Sequence, residues 1–104
     1  MSEDWKTQLS ALNERAAFNR WAGIRVVAAQ AGEVEIEMPW RGEAGQYSGF
    51  LHAALVSGLI DTVCGYAAFT VAGMVLASPV SVNFMAPAVG RSFVARGVVT
   101  RAGR

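Results

Sequence analysis

The chain has 104 residues, 53% of them hydrophobic, with 9 basic and 8 acidic side chains and a net charge of +1. That length and apolar content specify one compact domain spanning 1–104, small enough that oligomerisation is a common remedy for its limited burial. The balanced charge excludes an electrostatic footprint for nucleic acid or an anionic membrane surface, and the single cysteine, Cys64, excludes an internal disulfide or a cysteine metal cluster and suits a reducing cytoplasm.

The N-terminus, Met1-Ser2-Glu3-Asp4-Trp5-Lys6, is polar and acidic, unlike the basic start and apolar core of a secretory signal. Residues 3–18 read as one helix, because Trp5, Leu9, Leu12 and Ala16 recur on one face and Glu3 and Asp4 sit favourably in its first turn. Gly23 breaks that pattern. Ile24 to Gln30 then reads as a strand, Ala31-Gly32 as a turn, and Glu33 to Met38 as a second strand. Val34, Ile36 and Met38 alternate with Glu33, Glu35 and Glu37, which describes a sheet buried on one face and wet on the other.

Pro39 to Gly49 is a Gly-rich loop. The apolar run from Leu51 to Thr70 is too long for an ordinary strand, and its Ala and Leu content favours a buried helix. The wider stretch from Phe50 to Val80 is long enough to span a bilayer, but it holds His52 and Asp61 and lacks Lys or Arg near either end. A soluble core is the better account, since a central carboxylate costs about 2.5–3.5 kcal/mol on insertion scales. Strands are expected at about Met74–Met85 and Ser92–Thr100, separated by Pro87 and Gly90. The order fits an α+β domain in which an antiparallel sheet wraps around one long central helix. Four strands leave an uncovered edge, so the chain reads as lacking its C-terminal strand or strands.

Chemistry concentrates at Asp61, the one formally charged residue between Glu43 and Arg91. A carboxylate in the most apolar segment either satisfies backbone donors or serves as a general base or nucleophile in a partly dry site. His52 lies nine residues earlier, about 900° around a helix, so the two side chains face opposite ways and do not form a dyad within one subunit. His52 reads as fixing the loop before the helix. The N–H groups of Ala53 and Ala54 would be unpaired at the helix start and suited to a developing oxyanion. They stand about 11 Å along the axis from Asp61, too far for one helix to place both on one reacting carbon. Two such helices packed antiparallel could do so, and Ala53, Ala54, Ser57, Gly58, Gly65 and Ala68 are small enough for close approach.

The segment Gln46-Tyr47-Ser48-Gly49-Phe50-Leu51-His52-Ala53-Ala54, followed by Leu59-Ile60-Asp61-Thr62 and Gly65-Tyr66-Ala67-Ala68, resembles the signature of the PaaI-like hotdog-fold acyl-CoA thioesterases. Ser81-Val82-Asn83-Phe84-Met85-Ala86-Pro87 is similar to that family's strand ending in an aromatic and a proline. The resemblance implies a hotdog fold and hydrolysis of acyl-CoA without metal or other cofactor. It implies Asp61 as nucleophile or general base, Gln46 on the thioester carbonyl, and a helix-start N–H near Ala54 in the oxyanion hole. Tyr47, Gly49, His52, Ala53 and Ser78 would border the substrate, in a site shared between subunits of a homodimer or homotetramer. Ala53-Ala54 departs from the family's glycine pair; the backbone donors survive if φ is negative there.

Other residues carry plainer expectations. Cys64 reads as a small core filler, and Trp21, Trp40, Tyr47 and Phe50 as core or loop anchors. Arg91, Arg96 and Arg101 read as solvated strand-end residues or partners for coenzyme A phosphates. Two other functions compete: a hotdog hydratase or dehydratase, which a single His52 disfavours, and a non-catalytic acyl-CoA-binding domain.

Overall fold

The structure is a computed structural model and describes residues 4–72 and 91–99. Two short helices, α1 (Trp5–Asn13) and α2 (Ala17–Ala22), precede a hairpin of β1 (Arg25–Gln30) and β2 (Glu33–Pro39). A loop with two 3-10 turns, Gly42–Ala44 and Tyr47–Gly49, leads to the 20-residue helix α3 (Ala53–Ala72), and β3 (Ser92–Val98) follows. The sheet order is β1-β2-β3 with both pairings antiparallel, and β2 lies at the centre. The expected strand at Met74–Met85 and the expectation of strands beyond Thr100 fall outside the described residues.

The first helix is interrupted. Asp4 caps α1 by accepting from the Thr7 N–H (3.1 Å). The expected continuous helix over 3–18 breaks at Glu14-Arg15-Ala16, where Arg20 Nη1 donates to the Glu14 carbonyl (2.6 Å) and closes the end of α1. Asn13 and Asn19 explain the break. Their amides are buried and find partners only if α2 folds back over the sheet, so a tertiary polar network overrides the local apolar period.

Within the hairpin the alternation holds. Val34, Ile36 and Met38 are fully buried, whereas Glu33, Glu35 and Glu37 are half-exposed. Each of those apolar side chains contributes on the order of 1.5–3 kcal/mol by leaving water. On the outer face, Arg25 donates to Glu37 (2.5 Å) and Arg96 Nε donates to Glu33 (2.7 Å), stitching β2 to both neighbours. Arg96 is thus committed to a cross-strand ion pair.

Helix α3 lies on the sheet through Leu59, Val63, Tyr66, Ala67 and Thr70, all buried. Its C-terminal half is tied to the hairpin: Thr70 Oγ1 accepts from the Gly32 N–H (2.7 Å) and donates to the Ala67 carbonyl (2.6 Å). Strand β3 crosses the helix backbone to backbone at Gly97, where a Cβ would stand 2.7 Å from the Val63 carbonyl oxygen. Among the described residues the opposite face of α3 is open. Ala54, Asp61, Cys64 and Val71 are exposed there, so Cys64 is not the core filler the sequence suggested. Nor does anything among the described residues press on Gly65, and the approach to Gly58 is by Phe18 at 4.0 Å. By length and composition Ala53–Val71 could cross a membrane, yet its buried stripe is used by the sheet.

Candidate functional site

The loop before α3 is built to present the helix start. Gly45 and Leu51 form an isolated antiparallel bridge, the Gln46 N–H donates to the Phe50 carbonyl (2.7 Å), and the His52 N–H donates to the Ala44 carbonyl (2.9 Å). Gly49 takes φ +76°, a left-handed conformation that closes this turn and that a residue with a Cβ adopts only at a cost. Gln46 Nε2 donates to the Leu51 carbonyl (3.3 Å), which holds an exposed side chain close to the first turn of α3. Tyr47, at 87% exposure, is a projecting side chain and not a loop anchor.

His52 caps the helix. Its Nδ1 accepts from the Ala54 N–H (3.0 Å), and its carbonyl accepts from Leu55 (2.9 Å) and Val56 (3.2 Å). This acceptor role leaves the neutral ring's proton on Nε2. It also distinguishes the two N–H groups at the helix start. The Ala54 N–H is occupied by His52, whereas the Ala53 N–H has no partner among the described residues. Of the two N–H groups expected to be free at the helix start, one is free among the described residues.

Asp61 lies eight residues along α3 from Ala53, about 12 Å of helix rise. The sequence placed it in the driest part of the protein. In a single chain it is exposed, and among the described residues the sheet covers one side of α3 only. Ala54, Ser57, Asp61, Cys64, Ala68 and Val71 follow a 3-4-3-4-3 spacing and share that outward stripe. No ion pair or hydrogen bond holds the Asp61 carboxylate among the described residues, and none joins it to His52. Ser78 lies outside the described residues.

Asp61 also borders a cleft of about 240 Å³ between the N-terminal helices and α3, with Leu12, Asn19, Tyr66 and Phe69 among its walls. Beneath it sits a polar network that the sequence did not reveal. Tyr66 Oη donates to Asn13 Oδ1 (2.8 Å), and Asn19 Nδ2 donates to Asn13 Oδ1 (2.9 Å) and to Tyr66 Oη (3.1 Å). Asn13 Nδ2 in turn donates to the Ile24 carbonyl (2.8 Å). Burial raises the Tyr66 phenol's pKa above its ordinary 10.0, against the opposing effect of the Asn19 hydrogen bond. Two asparagines six apart in an apolar helical pattern were the available signal. A larger groove of about 400 Å³ runs between α3 and β3, lined by Leu51, Val56, Leu59, Ile60, Val63 and Phe93 among others. It is apolar and does not include Asp61 or Gln46.

A helix-capping histidine, a free N–H at the helix start and an outward carboxylate two turns on thus lie along one helix set on an antiparallel sheet. The chain belongs to the thioesterase superfamily, whose family model matches residues 48–104. It is 33% identical to a thioesterase family protein from Silicibacter pomeroyi, with a TM-score of 0.86 over 96% of this chain and 76% of that one. The PaaI protein of the E. coli phenylacetic acid degradation operon shares the fold, with 20% identity and a TM-score of 0.86 over 96% of this chain and 73% of its own. The chain thus has the hotdog fold. A curated relative from Saccharolobus solfataricus that carries an esterase name is 27% identical over 86 residues, 81% of this chain. The match spans about three fifths (61%) of that relative's length.

Proposed function

We propose that the protein hydrolyses acyl-CoA thioesters at a site shared between two copies of the chain. The observation that carries this reading is the separation, on one helix, of a free donor at Ala53 from a free carboxylate at Asp61. In a pair of antiparallel α3 helices, Ala53 of one copy comes opposite Asp61 of the other. The open stripe through Ser57, Cys64 and Ala68 supplies the small surface that such a pair requires.

The chemistry follows from these groups. The Ala53 N–H and the second N–H of Gln46 polarise the thioester carbonyl and stabilise the negative charge that develops on its oxygen. Asp61 accepts a proton from a water attacking the carbonyl carbon, or attacks it directly to give an anhydride that water then opens. Either way the C–S bond breaks, coenzyme A leaves as a thiolate that takes up a proton, and the acyl group leaves as the free acid. A hydratase would need an imidazole free to move a proton beside the acid. His52 instead caps α3 and stands more than two turns from Asp61 along the same helix.

The test is thiol release from a panel of acyl-CoAs. Asp61→Asn should lower kcat by about a hundredfold or more, the scale of a lost acid–base group, without altering the melt. Mixing Asp61→Asn subunits with Gln46→Ala subunits should restore part of the activity, because one site of the mixed pair keeps both groups. Near wild-type turnover by Asp61→Asn would overturn the role of Asp61; no recovery despite proven subunit exchange would overturn the shared site.

A further inference from the structure

The family match begins at residue 48, so nothing in it accounts for α1 and α2. Yet these helices build one wall of the cleft that Asp61 borders. Trp5 meets Phe69 edge-on (6.0 Å between centroids), Phe18 approaches Gly58, and the Asn13–Asn19–Tyr66 network fixes the two helices against α3. The floor of the cleft is thus a hydrogen-bonded junction of α1, α2 and α3. The Tyr66 phenol hydrogen and both Asn19 amide hydrogens are already donated within the protein, and Leu12 and Phe69 supply the apolar part of the wall beside them.

We propose that α1 and α2 are the selectivity wall of the site: the substrate's acyl group enters this cleft from Asp61, and Leu12, across from Tyr66 and Phe69, determines how long it can be. This inference rests on the acyl-thioester reading above. A volume of about 240 Å³ falls below the roughly 300–1,000 Å³ of drug-sized sites, which suits a short acyl chain better than a long one. Leu12 is half-buried on α1 and lines the cleft, so a change in its side chain alters the space available without touching the reacting centre.

The experiment compares kcat/KM for acetyl-, hexanoyl- and palmitoyl-CoA in the wild type, Leu12→Phe and Leu12→Ala. The wild type should prefer hexanoyl over palmitoyl. Leu12→Phe should lose about tenfold or more on hexanoyl-CoA, the scale of a methylene-sized misfit, and stay within about twofold on acetyl-CoA. Leu12→Ala should shift the preference toward the longer chain. A uniform change across the three substrates, or none, would overturn the proposal. If the wild type hydrolyses none of them, the hydrolysis reading falls and the cleft is judged by binding. Hexanoyl-CoA thioether should then bind more tightly than acetyl-CoA thioether, and Leu12→Phe should abolish that difference. Should either variant fail to fold, a photoreactive hexanoyl-CoA thioether on the wild-type protein decides the matter. Labelling of peptides holding Leu12 or Phe69 supports the assignment; labelling elsewhere, or none, overturns it.

Discussion

Replacing Gly97 with alanine tests whether α3 is seated on the sheet by direct backbone contact. A Cβ at that position would lie 2.7 Å from the Val63 carbonyl oxygen, 3.0 Å from the Val63 carbonyl carbon and 3.2 Å from the Cys64 nitrogen. All three are backbone atoms in the middle of a 20-residue helix, so no flexible side-chain end can swing aside. Helix and strand must separate, at an overpacking cost of about 1–3 kcal/mol. Alanine narrows the unfolded ensemble and returns about 0.4–1 kcal/mol where the native conformation accepts it, leaving a net loss of about 1–2 kcal/mol. That is a substantial share of the roughly 5–15 kcal/mol that holds a domain together. Urea unfolding of Gly97→Ala beside Gly42→Ala isolates the effect, because a Cβ at Gly42 meets nothing within 4 Å. Gly97→Ala should shift the midpoint down and Gly42→Ala should not. Equal midpoints for Gly97→Ala and the wild type would refute the contact as a determinant of helix position.

Other perturbations address the polar links around the site. Tyr66→Phe removes the hydroxyl that joins Asn13 and Asn19 and should cost about 1–3 kcal/mol in a denaturant melt. The same variant should change the alkaline limb of stability. The folded phenol titrates above its ordinary 10.0, so its contribution is intact below that pH and drains away as pH rises through the raised value. Melting temperatures of the wild type should thus fall more steeply than those of Tyr66→Phe beyond pH 10.0. Thr70→Val leaves the Gly32 N–H without its 2.7 Å acceptor and should destabilise by about 1–3 kcal/mol, with faster amide exchange at the hairpin tip.

Much of the architecture could be read directly, for a physical reason. Residues 33–38 alternate because one face of β2 meets the core, and the apolar run after Leu51 is helical because its length exceeds that of a strand. The break between α1 and α2 could not be read, since Leu9, Leu12 and Ala16 keep the helical period across it. Its cause lies far along the chain, at Ile24 and Tyr66. The same limit applied to the site. Asp61 stood out as the lone charge of its segment, but its exposure depends on which side of α3 the sheet covers. The donor at the helix start depended on which N–H His52 caps, a detail that spacing does not encode. Gly97 gave no signal at all, because an isolated strand glycine is ambiguous until the helix crossing it is known.

Cys64 adds a practical consequence. It is the single cysteine of the chain, exposed one helical turn beyond Asp61 on the outward stripe of α3. The protein therefore carries a natural attachment point at the surface where two copies would meet. A maleimide dye placed there reports on that surface without an engineered cysteine. Protection of the thiol as concentration rises reads out self-association, and energy transfer between dyes on different subunits measures how rapidly partners exchange.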